Sequence, residues 1–342
     1  MVKTYQSDQG TLGLPFLVDP SAIYYNSDLF SKAGLKPLPA KYGDQYQMPD
    51  GSLVDWNWSA LAKVAKLLTI DAAGKHSGEA GFNATQIVQY GFSFGFEIHP
   101  NDWATFLSNG NSILMPGGDK GNYTPKIPEM WKAAWEWVYD GMWGAEPYIL
   151  NYNATSSTKF DTNNVFASGK VGMLENPSST LCCLGTLTQA NGKFEFGAMP
   201  IGLDGKVAGR VDEETFRIWK DTKHPAEAFT VLAYLIDIGS QKLVVGTPQV
   251  NPAYHGISAL VADRGAWLAA QQAQFPFVHN WQTLLDGLNY PDDPSAEAYM
   301  PYMQVSWARI QTFGDLLVKT KGVNLATEEG NLESDLKVLF NK

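Results

Sequence analysis

The sequence has little of what metal and nucleotide sites are built from. Its histidines show none of the close spacings that place two imidazoles on one metal ion. The five are His76, His99, His224, His255 and His279. The glycine-rich stretch 116–121 lacks the Lys-Ser/Thr ending of a phosphate-binding loop, so it favours a turn. We therefore expect no cofactor, no metal ion and no catalytic residue.

Basic residues are also scarce. The chain has 25 Lys and Arg against 35 Asp and Glu, which gives a formal net charge of −10. Such a charge repels phosphate backbones and anionic lipid, so nucleic acid and membrane surfaces are poor partners. No apolar run is long enough to cross a bilayer, which excludes direct membrane insertion. The first eight residues are polar and do not form a signal peptide, so we expect that a signal was removed or that the natural front is missing.

Cysteine is nearly absent. The chain has two, Cys182 and Cys183, and they are adjacent. Neighbouring cysteines cannot close a conventional loop, and a disulfide between them is uncommon because it distorts the enclosed peptide. We therefore expect two reduced, packed thiols. The redox compartment stays undecided.

Length and aromatic content are the positive features. A chain of 342 residues exceeds what one ordinary core serves, which favours two domains. Aromatic residues make up 13% of the chain and include 11 Trp. Large rings suit an amphipathic ligand, although most of them should lie in the core.

Short strands alternate with amphipathic helices, the pattern of an α/β fold. We predict strands at 14–18, 22–25, 171–174, 194–199 and 215–219, with a break at Asp19-Pro20. We predict helices that start at Trp58-Ser59, run from Pro128 to about Gly141, span 160–168, start at Pro225, and span 259–274, 301–319 and 328–340. The helix after Pro225 should bury Phe229, Leu232, Leu235 and Ile236.

Acidic residues leave one catalytic alternative open. The densest cluster is Asp212-Glu213-Glu214, and such runs are usually solvated. A glycoside hydrolase needs two carboxyl groups that face each other, which a sequence cannot show. A carbohydrate-active hydrolase therefore remains an alternative.

Several blocks, in order, resemble one family. They are 13–30, 56–61, 164–173 with its Phe-Ala-Ser-Gly-Lys-Val-Gly-Met, 223–229 with its Lys-His-Pro-Ala-Glu-Ala-Phe, and 302–307. Together they resemble the extracellular solute-binding proteins of ABC sugar importers, the maltose-binding-protein-like family. In that family roughly a hundred residues precede the first block, so the resemblance implies a chain that lacks them.

The resemblance implies a type II periplasmic-binding-protein-like fold, α/β, with two lobes, a hinge and an incomplete first lobe. Residues 1–20 and 209–285 would belong to the first lobe, and residues 21–208 and 286–342 to the second. The first crossing between lobes would lie around 19–25.

The implied function is capture of a carbohydrate in the cleft between the lobes, without catalysis, for delivery to the permease subunits of an ABC importer. Hinge closure would bury the ligand. The full-length protein would be periplasmic or extracellular and held at the membrane by a lipid. The alternatives to a sugar receptor are the hydrolase, a truncated fragment that no longer binds, and a receptor for a peptide or polyamine.

The resemblance and the chemistry of sugars together nominate site residues. Sugar hydroxyls call for carboxylate, amide and guanidinium groups, and the C–H faces of the ring call for aromatic platforms. The candidates are Asp19, His99, Asn101, Asp102, Trp103, Asn176, Ser178, Arg210, Asp212 and Trp307. The resemblance implies that residues 99–103 form a loop of the second lobe and that Arg210 and Asp212 lie at the second crossing. Asp19 could instead be a turn residue before Pro20, and Trp307 a helix-face anchor. The loop that starts at Asn176 lacks the Trp that family members often carry there, so its stacking contact is in doubt.

Overall fold

The computed structural model describes residues 6–7, 10–11, 13–95, 99–108, 121–155, 160, 164–189, 192–239, 242, 256–291 and 300–342. Residues 116–120 of the predicted turn and His255 lie outside this part of the chain.

Helices and strands alternate along the described chain, as the sequence predicts. The strands are β1 Gln6–Ser7, β2 Gly10–Thr11, β3 Leu14–Asn26, β4 Gln45–Gln47, β5 Leu53–Asp55, β6 Ile70–Asp71, β7 Ile87–Ser93, β8 Val171–Pro177, β9 Phe194–Gly197, β10 Val211–Phe216 and β11 Ile257–Ser258. The α-helices are α1 Ser27–Lys32, α2 Trp58–Leu68, α3 Pro100–Ser108, α4 Glu129–Trp143, α5 Tyr152–Thr155, α6 Gly185–Gln189, α7 Pro225–Tyr234, α8 Arg264–Gln274, α9 Trp281–Asp286, α10 Met303–Lys319 and α11 Leu325–Phe340. Shorter 3₁₀ helices include Val165–Ser168 and Ser178–Cys183.

One mixed sheet organises the described chain. Its strands follow the order β10-β3-β8-β7-β6, and β9 and β11 also pair with β3. The pair β7 and β8 is parallel, and the other pairs are antiparallel. Strand β3 therefore holds the sheet together.

The predicted break at Asp19-Pro20 is wrong, because the 13 residues Leu14–Asn26 form one continuous strand, β3. Its partners change instead: Pro20 lies opposite Val211 of β10, and Ser21 lies opposite Pro177 of β8. Proline has no N–H to donate to a sheet, which suits a position where one pairing ends and another begins. We call this point the β3 junction.

Side chains alternate between the two faces of a strand, and those on each face of β3 pack into a different hydrophobic core. Ile23 and Tyr25 join the core formed with α2, α4, α10 and α11. Ala22 and Tyr24 join the core formed with α8 and α9. Six tryptophans are among the largest fully buried side chains, as expected for core rings. They are Trp56, Trp58, Trp103, Trp131, Trp135 and Trp267.

Two predicted helices are present with the expected buried faces. In α4, Trp131 and Trp135 are buried, so this aromatic stripe is core. Helix α2 begins at Trp58, as predicted, and Asn57 caps it by accepting a hydrogen bond from the Ala60 N–H.

Several boundaries differ from the predictions. The strand predicted at 215–219 is wrong, because the pairing with β3 starts at Val211 and ends at Phe216. The described part of the helix predicted at 160–168 is a 3₁₀ helix, Val165–Ser168, which ends at Gly169 with a left-handed φ of 71°. Helix α11 begins at Leu325, where Asn324 caps it, and not at residue 328.

Helix α7 forms as predicted, but most of its predicted apolar face is not buried. Leu232 is buried, whereas Phe229 is 59% exposed and Leu235 and Ile236 are half-buried. Periodicity predicts a helix from its own residues, while burial also requires a partner surface.

Candidate functional site

The β3 junction carries the first predicted site residue. Asp19 is 3% exposed and lies opposite Asp212 in the register between β3 and β10. Its Oδ1 accepts a hydrogen bond of 2.6 Å from the Ser178 hydroxyl. Asp19 is thus a strand residue, and the alternative role in a turn is wrong.

The environment of Asp19 favours the neutral carboxylic acid. Burial raises its pKa from 3.8 to about 7, and the nearby carboxylates of Asp212 and Glu214 also raise it. The Ser178 hydroxyl and the Ser179 backbone N–H act in the opposite direction but do not offset burial. The junction therefore holds a carboxyl group that titrates near neutral pH.

Arg210 links the junction to helix α3. Its Nη1 lies 2.9 Å from Oδ1 of Asp102, and its Nε lies 2.6 Å from Oδ1 of Asp212. Its backbone carbonyl accepts a hydrogen bond from the Ser21 N–H at 2.9 Å. The Asp102 side chain is only 8% exposed, so the Arg210 guanidinium stabilises a carboxylate that water reaches poorly.

His99 and Trp307 form a stacked pair beside this network. Their ring centroids are 3.6 Å apart with an interplanar angle of 7°. Nδ1 of His99 accepts a hydrogen bond from the Asn101 N–H, and Nε2 lies 3.5 Å from the Trp307 carbonyl oxygen. In the neutral ring this arrangement places the proton on Nε2. Burial, aided by the charge of Arg210, lowers the pKa of His99 to about 4.

Trp103 is removed from the candidate site. It is fully buried and packs near Phe94, with ring centroids 6.0 Å apart. The predicted loop at 99–103 is helical from Pro100 onward, and adjacent residues of a helix point in different directions. Asp102 therefore faces Arg210 while Trp103 enters the core.

Two buried amide side chains, unlike the groups above, lack hydrogen-bond partners among the described residues. Asn101 is 2% exposed and Asn176 is 1% exposed. Within the described part of the chain, neither their side-chain oxygens nor their side-chain nitrogens have a hydrogen-bond partner. A buried polar group without a partner is costly and needs an explanation, and a missing ligand is one.

The structure thus brings most of the predicted residues together. Asp19 bonds to Ser178, Arg210 joins Asp102 to Asp212, and the β3–β10 register places Asp19 opposite Asp212. Asn176 lies two residues before Ser178. His99 and Asn101 lie beside Asp102 at the start of α3, and Trp307 stacks on His99.

Sequence reasoning missed two buried polar residues near the junction. Ser21 is 1% exposed, and its hydroxyl has no partner among the described residues. Glu175 is fully buried in β8, next to Asn176. An acidic residue directly after the apolar run 171–174 was the available signal for Glu175.

The prediction of reduced, packed thiols is wrong. Cys182 and Cys183 are bonded to each other and both are exposed. They lie in the 3₁₀ helix Ser178–Cys183, in which Leu181 takes the buried position. The physical reason is that Leu181 and Leu184 fill the core on either side of the pair, which leaves both sulfur atoms at the surface.

The stretch Gly91-Phe92-Ser93-Phe94-Gly95 has the Gly-x-Ser-x-Gly spacing of hydrolase nucleophiles. Its structure does not fit that role, because Ser93 is the last residue of β7 and its Oγ accepts a hydrogen bond from the Gly95 N–H. Both ring nitrogens of His99, the nearest histidine in sequence, face other groups. The described residues also contain no cluster of metal-ligating side chains and no helix suited to crossing a membrane.

Sequence comparison identifies the family. The family described as bacterial extracellular solute-binding protein matches residues 2–242. Binding proteins of Brucella abortus (strain 2308) and Brucella suis biovar 1 (strain 1330) are 28% identical over 229 residues, which is 67% of this chain and 47% of each relative. The chain therefore spans about half the length of the curated relatives it matches.

Structural comparison identifies the fold. M. tuberculosis UspC superposes with a TM-score of 0.67 at 16% identity, covering 98% of this chain and 78% of UspC. Lmo0181 is an ABC substrate-binding protein from Listeria monocytogenes solved with cycloalternan. It superposes with a TM-score of 0.65 at 16% identity, covering 98% of this chain and 74% of Lmo0181. Maltotriose-bound MalE from Bdellovibrio bacteriovorus superposes with a TM-score of 0.58 at 16% sequence identity, covering 97% of this chain and 74% of MalE. The predictions of the family and of a periplasmic-binding-protein-like α/β fold are confirmed.

Proposed function

Because this chain belongs to the family of bacterial extracellular solute-binding proteins, we propose that it captures a carbohydrate at the β3 junction for delivery to an ABC importer. The observation that carries the proposal is the ionic contacts of Arg210 together with two unpartnered buried amides, one next to Asp102 on α3 and the other two residues before Ser178 on β8. Arg210 joins Asp102 to Asp212, while Asn101 and Asn176 lack partners among the described residues.

The chemistry of these groups suits a sugar. Each amide offers a donor nitrogen and an acceptor oxygen, which is what a hydroxyl needs on its two sides. The guanidinium and the carboxylates supply charge-assisted hydrogen bonds, the stronger kind. The Arg210 guanidinium already contacts two carboxylates, Asp102 and Asp212, so a neutral sugar fits this site better than an acidic one.

Proteins with this fold support a carbohydrate as the ligand class. The neighbours include proteins solved with cycloalternan, with mannobiose and with maltotriose. Each of those ligands is a sugar built from more than one ring. Another neighbour, from Thermotoga lettingae, was solved with α-D-tagatose, so the proposed ligand is a mono- or oligosaccharide.

Opening and closing would take place at the β3 junction. We propose that residues 1–20 and 209–285 form one lobe and residues 21–208 and 286–342 the other. The change of strand partners between Pro20 and Ser21 supports a crossing there. Closure would bury the sugar, and the closed form would dock on the importer permease. The mature protein would act outside the cytoplasm and be held at the membrane by a lipid.

Calorimetric titration tests this proposal. The protein is titrated with maltotriose, mannobiose, glucose and galacturonate, and each mixture is analysed for products after long incubation. We expect micromolar binding of a neutral sugar, about −8 kcal/mol, without turnover. Turnover would instead support the hydrolase alternative, in which Asp19 and Asp212 act as the acid and base. Absence of binding to every sugar would overturn the proposal.

A further inference from the structure

The Cys182–Cys183 disulfide occupies an unusual place beside the candidate site. The bond joins neighbouring residues at the end of the 3₁₀ helix Ser178–Cys183, and both residues are exposed. Leu181 and Leu184, on either side, are 1% and 0% exposed. These two buried residues anchor the backbone on either side of the exposed cysteine pair.

The same short helix begins in the ionic network. Ser178 donates its hydroxyl hydrogen to Asp19, and the Ser179 N–H also reaches that carboxyl group. A 3₁₀ helix rises about 2 Å per residue and has three residues per turn. Cys182 therefore lies about 8 Å along the helix from Ser178 and on the same exposed face as Ser179. An oligosaccharide held at Asp19 spans that distance.

Unpartnered polar groups lie close to the disulfide. The Thr180 hydroxyl, in the same turn, is on a residue 2% exposed and has no hydrogen-bond partner among the described residues. The Asn176 amide, two residues before the helix, is in the same situation. Both groups are buried, and each leaves a hydrogen bond that a polar ligand can supply.

The predicted aromatic platforms leave this side of the site without a free ring. Trp103 is buried in the core, and one face of Trp307 is covered by His99. The segment 176–179 itself carries no aromatic residue. A sugar ring that lies along this helix still needs an apolar surface for its C–H face.

We propose that the Cys182–Cys183 disulfide is that apolar surface, so that a sugar ring packs its C–H face on the two sulfur atoms. This inference rests on the proposed carbohydrate function. Sulfur is polarizable and a weak hydrogen-bond former, which suits contact with C–H groups. The bond closes a small ring through the backbone, so the surface is rigid before the ligand arrives and loses little entropy on binding.

Reduction of the bond tests the inference directly. Dithiothreitol converts the S–S bond to two thiols and is itself oxidised to its cyclic disulfide. The reagent acts on one bond only, because the chain has no other cysteine. Folded wild-type protein is titrated with maltotriose and mannobiose before reduction, after reduction and after reoxidation. We expect affinity to fall by about tenfold on reduction and to return on reoxidation.

The double variant Cys182→Ser/Cys183→Ser provides the matched control. It should bind about tenfold more weakly than wild type and show no further change with dithiothreitol. Far-UV circular dichroism checks that it folds, and the reduction experiment stands by itself if it does not. Alkylation of unfolded wild-type protein without reductant should find no free thiol.

Different results would contradict the role of the disulfide and the binding of a sugar. Equal affinity in oxidised and reduced wild-type protein, or two free thiols in the oxidised preparation, would overturn the disulfide surface and leave sugar binding intact. No binding of either oligosaccharide by the oxidised protein would overturn the proposed function and this inference together.

Discussion

The candidate site has an ionic side and an amide side, and the two differ in how their polar groups are satisfied. The ionic side comprises the hydrogen-bonded pair Asp19–Ser178 and the ionic contacts of Arg210 with Asp102 and Asp212, all at 2.6–2.9 Å. The amide side comprises Asn101 and Asn176, whose side chains have no partner in the described chain.

This difference indicates a structural role for the ionic side and a ligand-binding role for the amide side. Groups on the ionic side already have partners, so they stabilise the junction whether or not a ligand is present. Groups on the amide side gain hydrogen bonds only when something else supplies them. Loss of an ionic group should therefore cost stability first, and loss of an amide should cost affinity first.

The largest expected effect is on the ionic side. Replacing Arg210 with Met removes the guanidinium that contacts Asp102, whose side chain is only 8% exposed. Removal of one partner from a buried pair typically costs about 3–5 kcal/mol. We expect a loss of that size in the free energy of unfolding, measured by urea denaturation at pH 7.

Arg309→Met is the matched control. Arg309 is 22% exposed, close to the 23% of Arg210, and its Nε lies 2.7 Å from Oδ2 of Asp335. Asp335 is 54% exposed, so water replaces the lost partner, and the cost should stay within about 1 kcal/mol. Equal losses in the two variants would contradict the structural role of Arg210.

The next effect concerns the pH dependence of stability at Asp19. The native carboxyl, with a pKa of about 7 against 3.8 for the free group, holds its proton more tightly than the unfolded chain does. Wild-type stability therefore contains a component that is present at pH 4 and lost as pH rises to about 7. Asp19→Asn lacks this loss and should gain up to roughly 4 kcal/mol relative to wild type between pH 4 and 8. Urea denaturation across that range measures it, and a constant difference would contradict the burial of Asp19.

His99 should show the opposite slope. Its native pKa of about 4 lies below the usual 6.5, so the unfolded chain binds more protons between these values. Its contribution to stability is present above pH 6.5 and is lost as pH falls toward 4. His99→Asn should therefore remove a decline of up to roughly 3 kcal/mol on acidification. The same denaturation series tests it, and an unchanged acid limb in the variant would refute the assignment.

The smallest effect belongs to the amide side. Asn176→Leu removes a buried amide that has no protein partner, so stability should hold or rise, while sugar affinity falls by about tenfold. Asn26→Leu is the control, because Asn26 is also buried but caps α1 through the N–H groups of Asp28 and Leu29. It should lose about 1 kcal/mol of stability and keep its affinity. Lost stability with unchanged affinity in Asn176→Leu, and lost affinity with unchanged stability in Asn26→Leu, would contradict the distinction between the two sides.

Sequence reasoning predicted the site best where strand neighbours determine it. Asp19 and Asp212 were both placed at crossings, and the β3–β10 register puts them opposite each other. It failed at Trp103, because a loop was expected where a helix turns Asp102 and Trp103 in different directions. The choice between a platform and a buried anchor depends on tertiary packing.

Two further features depend on information outside any local pattern. The state of Cys182 and Cys183 depends on which side of the 3₁₀ helix is buried, and Leu181 decides that. The exposure of Phe229 depends on which surface meets α7, which the periodicity of the helix does not encode. Helices and strands follow from short-range patterns, whereas burial depends on contacts between distant segments.

Calorimetric titration of three proteins with maltotriose and mannobiose tests the central claim, that a sugar binds at the β3 junction. The proteins are wild type, Asn101→Leu/Asn176→Leu and Asn26→Leu. We predict micromolar binding by wild type and by Asn26→Leu, and at least roughly hundredfold weaker binding by the double variant, because two buried amides lose their bonds to the ligand. Equal affinity in the folded double variant and wild type would contradict the claim, and so would the absence of binding in all three.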